Sequence, residues 1–281
     1  MQILKTKGWQ DYELLDSGEG LRLEKFGQYV ISRPDPQVIW KKSQGSDIWN
    51  KANARFENEK WITTPNFPHE WPLSYKNLKF YAKLTPFKHT GIFPEQSLNW
   101  DFLEEKIKSS KIQPNILNLF AYTGIASLVA AANGALVTHV DASKPSIGWA
   151  KENQEASDLT DKPIRWILDD VIEFTTREIR RGVFYDGIIM DPPVYGHGPN
   201  GKIWDFDKSF PLLLRNCSLL LSKNPLFVVI NAYAVSSSSI MLQNLCEDYF
   251  PKGNIESGEL ALEQANGRLL STGIFARWSK A

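Results

Sequence analysis

Two rhythms of apolar and polar residues divide the chain. Up to about residue 92 the apolar positions come in short alternating stretches broken by turn residues. DYELLD and LRLEKF are separated by SGEG, a tight-turn composition, and QYVISRP stops at a proline. A polar stretch, DIWNKANARF, predicts a helix, and KWITT, WPLSY and LKFYAKL predict further strands. This part is too small and too rich in strands to be half of a doubly wound sheet.

After Trp100 the rhythm changes to apolar runs alternating with amphipathic stretches. NILNLF, ALVTHV, IRWIL, FYDGIIM and LFVVI predict buried strands. Between them lie predicted helices: TGIASLVAAANGA, closed by Gly134; SKPSIGWAKENQEAS, with Ser143 as N-cap and Pro145 in the first turn; DDVIEFTTREIRR; and a long one through DKSFPLLLRNCSLLL. A helix at SSSIMLQNLCEDYF and two late strands, ESGELAL and RLLSTGIFARW, close the pattern. Strands alternating with helices predict an α/β fold: a Rossmann-like, mostly parallel sheet with helices on both faces and an antiparallel late strand. The expected division is a small β-rich α+β domain at 1–92 and a larger domain at 93–281.

Composition narrows the classes. With 32 basic and 32 acidic residues the chain is no polycation, although residues 1–90 hold 14 Lys/Arg against 10 Asp/Glu. Ten tryptophans and fifteen phenylalanines supply core, or stacking surface where exposed. No apolar run reaches signal-peptide or membrane-span length, so a cytoplasmic protein is expected. Cys217 and Cys246 form no paired-cysteine spacing and the four histidines are scattered, so neither a disulfide framework nor a metal site is expected.

In a doubly wound sheet the ligand sits beyond the carboxyl ends of the strands. Here the first strand ends in the turn Phe120-Ala121-Tyr122-Thr123-Gly124, where the glycine permits close backbone approach. Asp141 ends the second strand, placed to accept hydrogen bonds from the two hydroxyls of an adenosine ribose. Asp169 and Asp170 end the third, where either carboxylate can accept from an adenine amino group. Each also has a plainer purpose, Gly124 as a turn or helix start, Asp141 as an aid to capping the next helix and Asp169 as an N-cap, but three such groups at consecutive strand ends point to a ligand. A nicotinamide dinucleotide needs the three glycines of G-x-G-x-x-G to seat its pyrophosphate, and this turn has one. A cofactor without a pyrophosphate, such as S-adenosylmethionine (SAM), fits better.

The fourth strand ends in Asp191-Pro192-Pro193-Val194-Tyr195. Two prolines stiffen the backbone and remove two amide donors, leaving the Asp191 carboxylate and nearby carbonyls as an acceptor cluster. Such a cluster can hold a planar N–H group and align its nitrogen with a sulfonium methyl, with Tyr195 available to stack on a flat ring.

Together, NILNLFAYTGIASLVAAANGALVTHVDASKPSIGWAKEN, PIRWILDDVIEF and YDGIIMDPPVYGHGPNGKIWDF resemble the class I SAM-dependent methyltransferases related to bacterial large-subunit ribosomal RNA methyltransferases. The likeness extends forward through FKHTGIFPEQSLNW and on to GRLLSTGIFARW. It implies SAM as cofactor, held by Tyr122, Thr123, Gly124, Asp141, Ala142, Ser143, Asp169 or Asp170, and Asp191. Phe93 and Gln96 of the FPEQ segment would border its methionine end, and Asp191, Pro192 and Tyr195 would border the target. An RNA substrate is implied, ribosomal RNA being the candidate, with a protein or small-molecule substrate as the alternative. Two departures qualify the likeness. The cytosine-C5 enzymes of this group carry an N-terminal PUA-type RNA-binding domain, and no stretch of this sequence is left to form one. They also need a cysteine just after the fifth strand, where this chain reads Val228-Val229-Ile230-Asn231-Ala232-Tyr233. Transfer to nitrogen is therefore expected. In the nitrogen-methylating motif the aromatic directly follows the second proline, whereas here Val194 intervenes before Tyr195.

Overall fold

The computed structural model describes residues 1–198, 202–233 and 235–280. The period-two stretches near the N-terminus form strands β1 (Gln2–Thr6), β2 (Tyr12–Gly18), β3 (Leu21–Phe26) and β4 (Tyr29–Pro34), then a single helical turn, α1 (Ser46–Trp49). Strands β5 (Ala54–Glu57), β6 (Lys60–Thr63), β7 (Glu70–Tyr75) and β8 (Leu78–Lys83) follow. The helix expected over DIWNKANARF is cut to four residues. Its second half joins β5, where Phe56 pairs with Trp61 and Arg55 with Ile62, so sheet pairing overrides local helix propensity.

The chain divides into two compact units. One comprises Lys5–Ser97 with Ala261–Ser271; the other comprises Met1–Leu4, Leu98–Leu260 and the stretch from Thr272 onward. In the first, β2-β3-β4-β5-β6 form a sheet in that order and β7 pairs with β8. A register shift between Leu14 and Asp16 turns Asp16 inward. Buried there, its carboxylate accepts from Ser43 N, Gln44 N, Trp49 Nε1 at 2.9 Å and Gln264 Nε2 at 3.1 Å. Deeper still, Glu24 accepts from Arg33 Nε at 2.6 Å, Arg33 Nη2 at 3.0 Å and Tyr12 Oη at 2.9 Å.

The second unit opens with α2 (Ser97–Ser109), a helix the sequence reading did not anticipate, as it did not β1. The alternation then runs β9 (Asn115–Leu119), α3 (Ile125–Ala132), β10 (Leu136–Asp141), α4 (Lys144–Ala156), β11 (Ile164–Leu168), α5 (Val171–Arg181) and β12 (Gly187–Met190). A short antiparallel pair, β13 (Tyr195–His197) and β14 (Ile203–Asp205), was also unforeseen. It precedes α6 (Phe206–Leu220), β15 (Phe227–Ala232), α7 (Ser239–Tyr249), β16 (Asn254–Glu263) and β17 (Leu269–Ser279). Helix ends follow the expected chemistry: Ser143 caps α4, and Gly134 with φ 93 follows α3.

The eight-stranded sheet has the order β1-β16-β17-β15-β12-β9-β10-β11. β9, β10, β11, β12 and β15 pair in parallel, and β17 lies antiparallel to β15. The order reverses at β9, with β10 on one side and β12 on the other, so the ligand crevice belongs above these two carboxyl ends. The register fixes that edge: Leu119 pairs with both Val140 and Met190, and Met190 with Ile230. All four are fully buried in one cluster, and the residues that follow them, Phe120, Asp141, Asp191 and Asn231, emerge at one level. Six of the ten tryptophans are buried, so most of that aromatic content is core. Among the described residues no helix is long and apolar enough to cross a membrane.

Candidate active site

The turn after β9 is conformationally unusual. Phe120 and Tyr122 adopt left-handed backbone with φ 53 and 48, and Gly124 follows at φ 83. Non-glycine residues rarely rest there, and such strain concentrates at ligand sites. Asp141 over-determines the turn: Oδ2 accepts from Tyr122 N at 2.8 Å and Oδ1 from Ser143 N at 2.8 Å. One carboxylate therefore joins the turns after β9 and β10 and stays half-buried, with lone pairs to spare on each oxygen. Burial pushes its carboxyl up, against the backbone hydrogen bonds from Ser143, Tyr122 and Ala142.

Gly124 has a second reason to lack a side chain. A Cβ there would stand 2.8 Å from Ala150 Cβ on α4, so the glycine also lets two helices meet. Asn153 on α4 donates to Thr123 O at 2.9 Å from a fully buried position. Behind the turn lies a buried polar chain that sequence reasoning missed. Asn118 Nδ2 donates to Ser127 Oγ at 2.9 Å, and Ser127 Oγ lies 3.1 Å from His139 Nδ1. Burial lowers the His139 pKa to about 3, so the ring is neutral and ties β9, α3 and β10 together.

The two aspartates after β11 divide their work. Asp170 caps α5: its Oδ1 accepts from Ile172 N at 3.0 Å and Glu173 N at 3.1 Å. Asp169 accepts from Asp170 N at 2.9 Å and forms an ion pair with Arg177.

After β12, Asp191 is held at 2.7 Å by the Asn231 amide. Burial pushes its carboxyl up and the Asn231 hydrogen bond opposes that rise. Pro192 is buried, Val194 is exposed, and Tyr195 is 55% exposed at the start of β13. The Pro193 carbonyl is not open as expected for an acceptor cluster, because Trp204 Nε1 donates to it at 2.6 Å. Trp204 and Asn231 were both missed. The signal for Asn231 was a polar residue closing an otherwise apolar run.

The structure thus brings Tyr122, Thr123, Gly124, Asp141, Ala142, Ser143, Asp169, Asp170 and Asp191 to the strand ends of one sheet. Phe93 is the N-cap of a 3₁₀ turn (Pro94–Gln96) and Gln96 its last residue, both in the other compact unit. Cys217 and Cys246 are fully buried in α6 and α7; burial pushes both thiols up, Cys246 to about 12. Among the described residues no group of three or more His, Cys, Asp or Glu is placed to hold a metal.

A doubly wound sheet with a strained, single-glycine turn and acids at successive strand ends defines a Rossmann-like nucleoside-binding enzyme. Residues 30–249 match the S-adenosylmethionine-dependent methyltransferase family, and the chain belongs to that family, with SAM as cofactor. A solved SAM-dependent methyltransferase from Agrobacterium tumefaciens is 40% identical, covers 100% of this chain and 94% of its own, and superposes with TM-score 0.97. A methyltransferase solved with S-adenosylhomocysteine shares the fold at TM-score 0.73 and 20% identity, covering 97% of this chain and 76% of its own. Among curated relatives, the ribosomal RNA large subunit methyltransferase K/L of Pseudoalteromonas atlantica is 29% identical over 184 residues, 62% of this chain. That of Shewanella sp. strain MR-4 is 34% identical over 149 residues, 52% of this chain. The matches span only 25% and 20% of those two proteins.

Proposed function

We propose that this chain transfers a methyl group from SAM to a nitrogen of RNA in the cytoplasm, large-subunit ribosomal RNA being the candidate. The observation that carries the reading is the alignment of Phe120, Asp141 and Asp191 at one sheet edge, which supports a nucleoside site beside an acceptor site. The names of the curated relatives support the RNA target, and the buried, protonated thiols support nitrogen over cysteine-dependent carbon transfer.

Asp141 would accept from the ribose hydroxyls with the lone pairs left by Tyr122 N and Ser143 N. Of the two acids after β11, Asp170 is the better adenine partner: Asp169 is committed to Arg177, whereas the cap bonds of Asp170 use Oδ1 and leave Oδ2. Tyr122, Thr123, Ala142 and Ser143 would line the adenosine. The cofactor supplies an electrophilic methyl on a good leaving group, so the protein's task is placement. Asp191 would hold the N–H of the acceptor while Pro192 stiffens the turn and Tyr195 stacks on the base.

Tritiated SAM incubated with the chain and with total cellular RNA or protein extract in parallel tests the reading. Label in large-subunit ribosomal RNA, recovered as an N-methylated base, is expected. Label confined to protein or small molecules would overturn the RNA assignment.

A further inference from the structure

Asn231 sits where an apolar residue would be expected. It closes the run Phe227–Ile230, is 3% exposed, and its neighbours Val228, Val229, Ile230 and Ala232 are all buried and apolar. The parallel register that pairs Met190 with Ile230 carries Asp191 and Asn231 one residue further along adjacent strands. There the Asn231 Nδ2 donates to Asp191 Oδ1 at 2.7 Å. Only the nitrogen end of an amide can donate to a carboxylate, so this contact also fixes which way the amide faces. The other end is anomalous: Asn231 Oδ1 is buried and, among the described residues, no donor reaches it. On the next strand Gly273 runs alongside: a Cβ there would press on Ala232 O at 3.0 Å and reach ordinary contact with that oxygen at 3.5 Å.

A side chain that merely filled the core would not bury an unsatisfied acceptor, and such groups mark functional positions when they persist. We infer that Asn231 is a positioning residue of the methyl-transfer site, holding the Asp191 carboxylate in one orientation at the mouth of β12. The inference rests on the reading of Asp191 as the group that holds the methyl acceptor. A carboxylate on a strand end can swing about two torsions, and one short hydrogen bond from the neighbouring strand removes that freedom before substrate arrives. The same bond favours the ionised form against the burial that opposes it.

The test labels aspartate with ¹³C at the carboxyl carbon in the full chain and assigns the Asp191 signal by its loss in Asp191→Asn. Titrations compare the parent with Asn231→Ala and the isosteric Asn231→Asp, which guards against an alanine variant that fails to fold. The Asp191 midpoint should move upward in Asn231→Ala. In Asn231→Asp it should split into two coupled steps, since neighbouring carboxyls share a proton. Single-turnover methylation of protein-free large-subunit ribosomal RNA should fall about tenfold in Asn231→Ala, the scale of one lost charge-assisted hydrogen bond, with SAM affinity unchanged. An Asp191 titration identical to the parent's in both variants overturns the inference whatever the activity does. A shifted titration together with an Asp191→Ala variant that methylates at the parental rate leaves the clamp standing and overturns the reading of Asp191 instead.

Discussion

Trp204 donates its indole N–H to the carbonyl oxygen of Pro193 at 2.6 Å. The same ring meets Phe120 nearly edge-on at 4.8 Å, and Phe206 N binds Val194 O at 3.0 Å. One buried side chain therefore ties the Asp-Pro-Pro turn to the turn after β9. Trp204→Phe keeps most of the packing and deletes the donor. It should cost about 1 kcal/mol of stability in urea unfolding, the usual worth of one hydrogen bond. Its turnover should fall more than its SAM affinity, which calorimetry and single-turnover assays on one preparation compare.

Gly124→Ala should be severe for two separable reasons. The new Cβ meets Ala150 Cβ at 2.8 Å, and the residue must hold φ 83. Together these cost about 2–5 kcal/mol. Adding Ala150→Gly should relieve the steric part alone, so a double-mutant cycle by thermal unfolding should show favourable coupling between the two substitutions.

Asp141→Asn preserves shape but leaves a single acceptor oxygen for two backbone amides. SAM binding should weaken by about 1–3 kcal/mol, the cost of an unpaired buried partner. In the parent, SAM affinity should fall as acid protonates Asp141, at a pH above the usual carboxylate range because burial raises this group. Isothermal titration across pH measures both, and NAD should not bind.

Glu24 tests the other unit. Burial pushes its carboxyl up, but Arg22 and Arg33, with hydrogen bonds from Arg33 and Tyr12, outweigh that and hold it at about 2 against an ordinary 4.5. A depressed carboxyl contributes stability that is complete above the ordinary value and is lost as pH falls toward the folded one. The parent should therefore lose stability between pH 4.5 and about 2 through this group, and Glu24→Gln should lack that part of the acid dependence. At neutral pH the variant should be about 3–5 kcal/mol less stable, because it leaves buried arginines uncompensated.

Cys217 and Cys246 should be chemically silent. Folded protein should resist thiol reagents, and the double alanine variant should retain methyl transfer where it folds. A covalent adduct between RNA and either cysteine would place a nucleophile in α6 or α7 and overturn the nitrogen assignment.

Much of this site could be read from residue pattern. Four of the five parallel strands are the buried runs expected, while β11 at the sheet edge buries none of its residues; Ser143 with Pro145 at one end and Gly134 at another marked helix boundaries by local chemistry alone. What stayed hidden depends on partners distant in sequence. Asn231 reaches Asp191 across forty positions, and the residue was noted in sequence only for not being cysteine. β13 and β14 are three residues each, too short for a period to register. Sequence offered Asp169 as the N-cap of α5, and the structure gives that place to its identical neighbour Asp170, a difference of one position that composition does not resolve. Helix α2 buries Trp100, Leu103 and Ile107 at helical spacing, but it follows directly on the 3₁₀ turn Pro94–Gln96, whose proline interrupts the pattern at its start.

Neither compact unit is a continuous piece of chain. Ala261–Ser271 belongs with Lys5–Ser97, and Leu98–Leu260 lies between them. Gln264 from this late stretch donates to Asp16 at 3.1 Å and meets Ser17, so buried polar groups of the early sheet take part of their hydrogen bonding from there. On the ribosome, the N-terminal sheet must wait with Asp16 short of a donor until nearly the whole methyltransferase sheet has been made. The two units therefore cannot mature one after the other during synthesis, and contacts closed over so long a separation slow the folding of both.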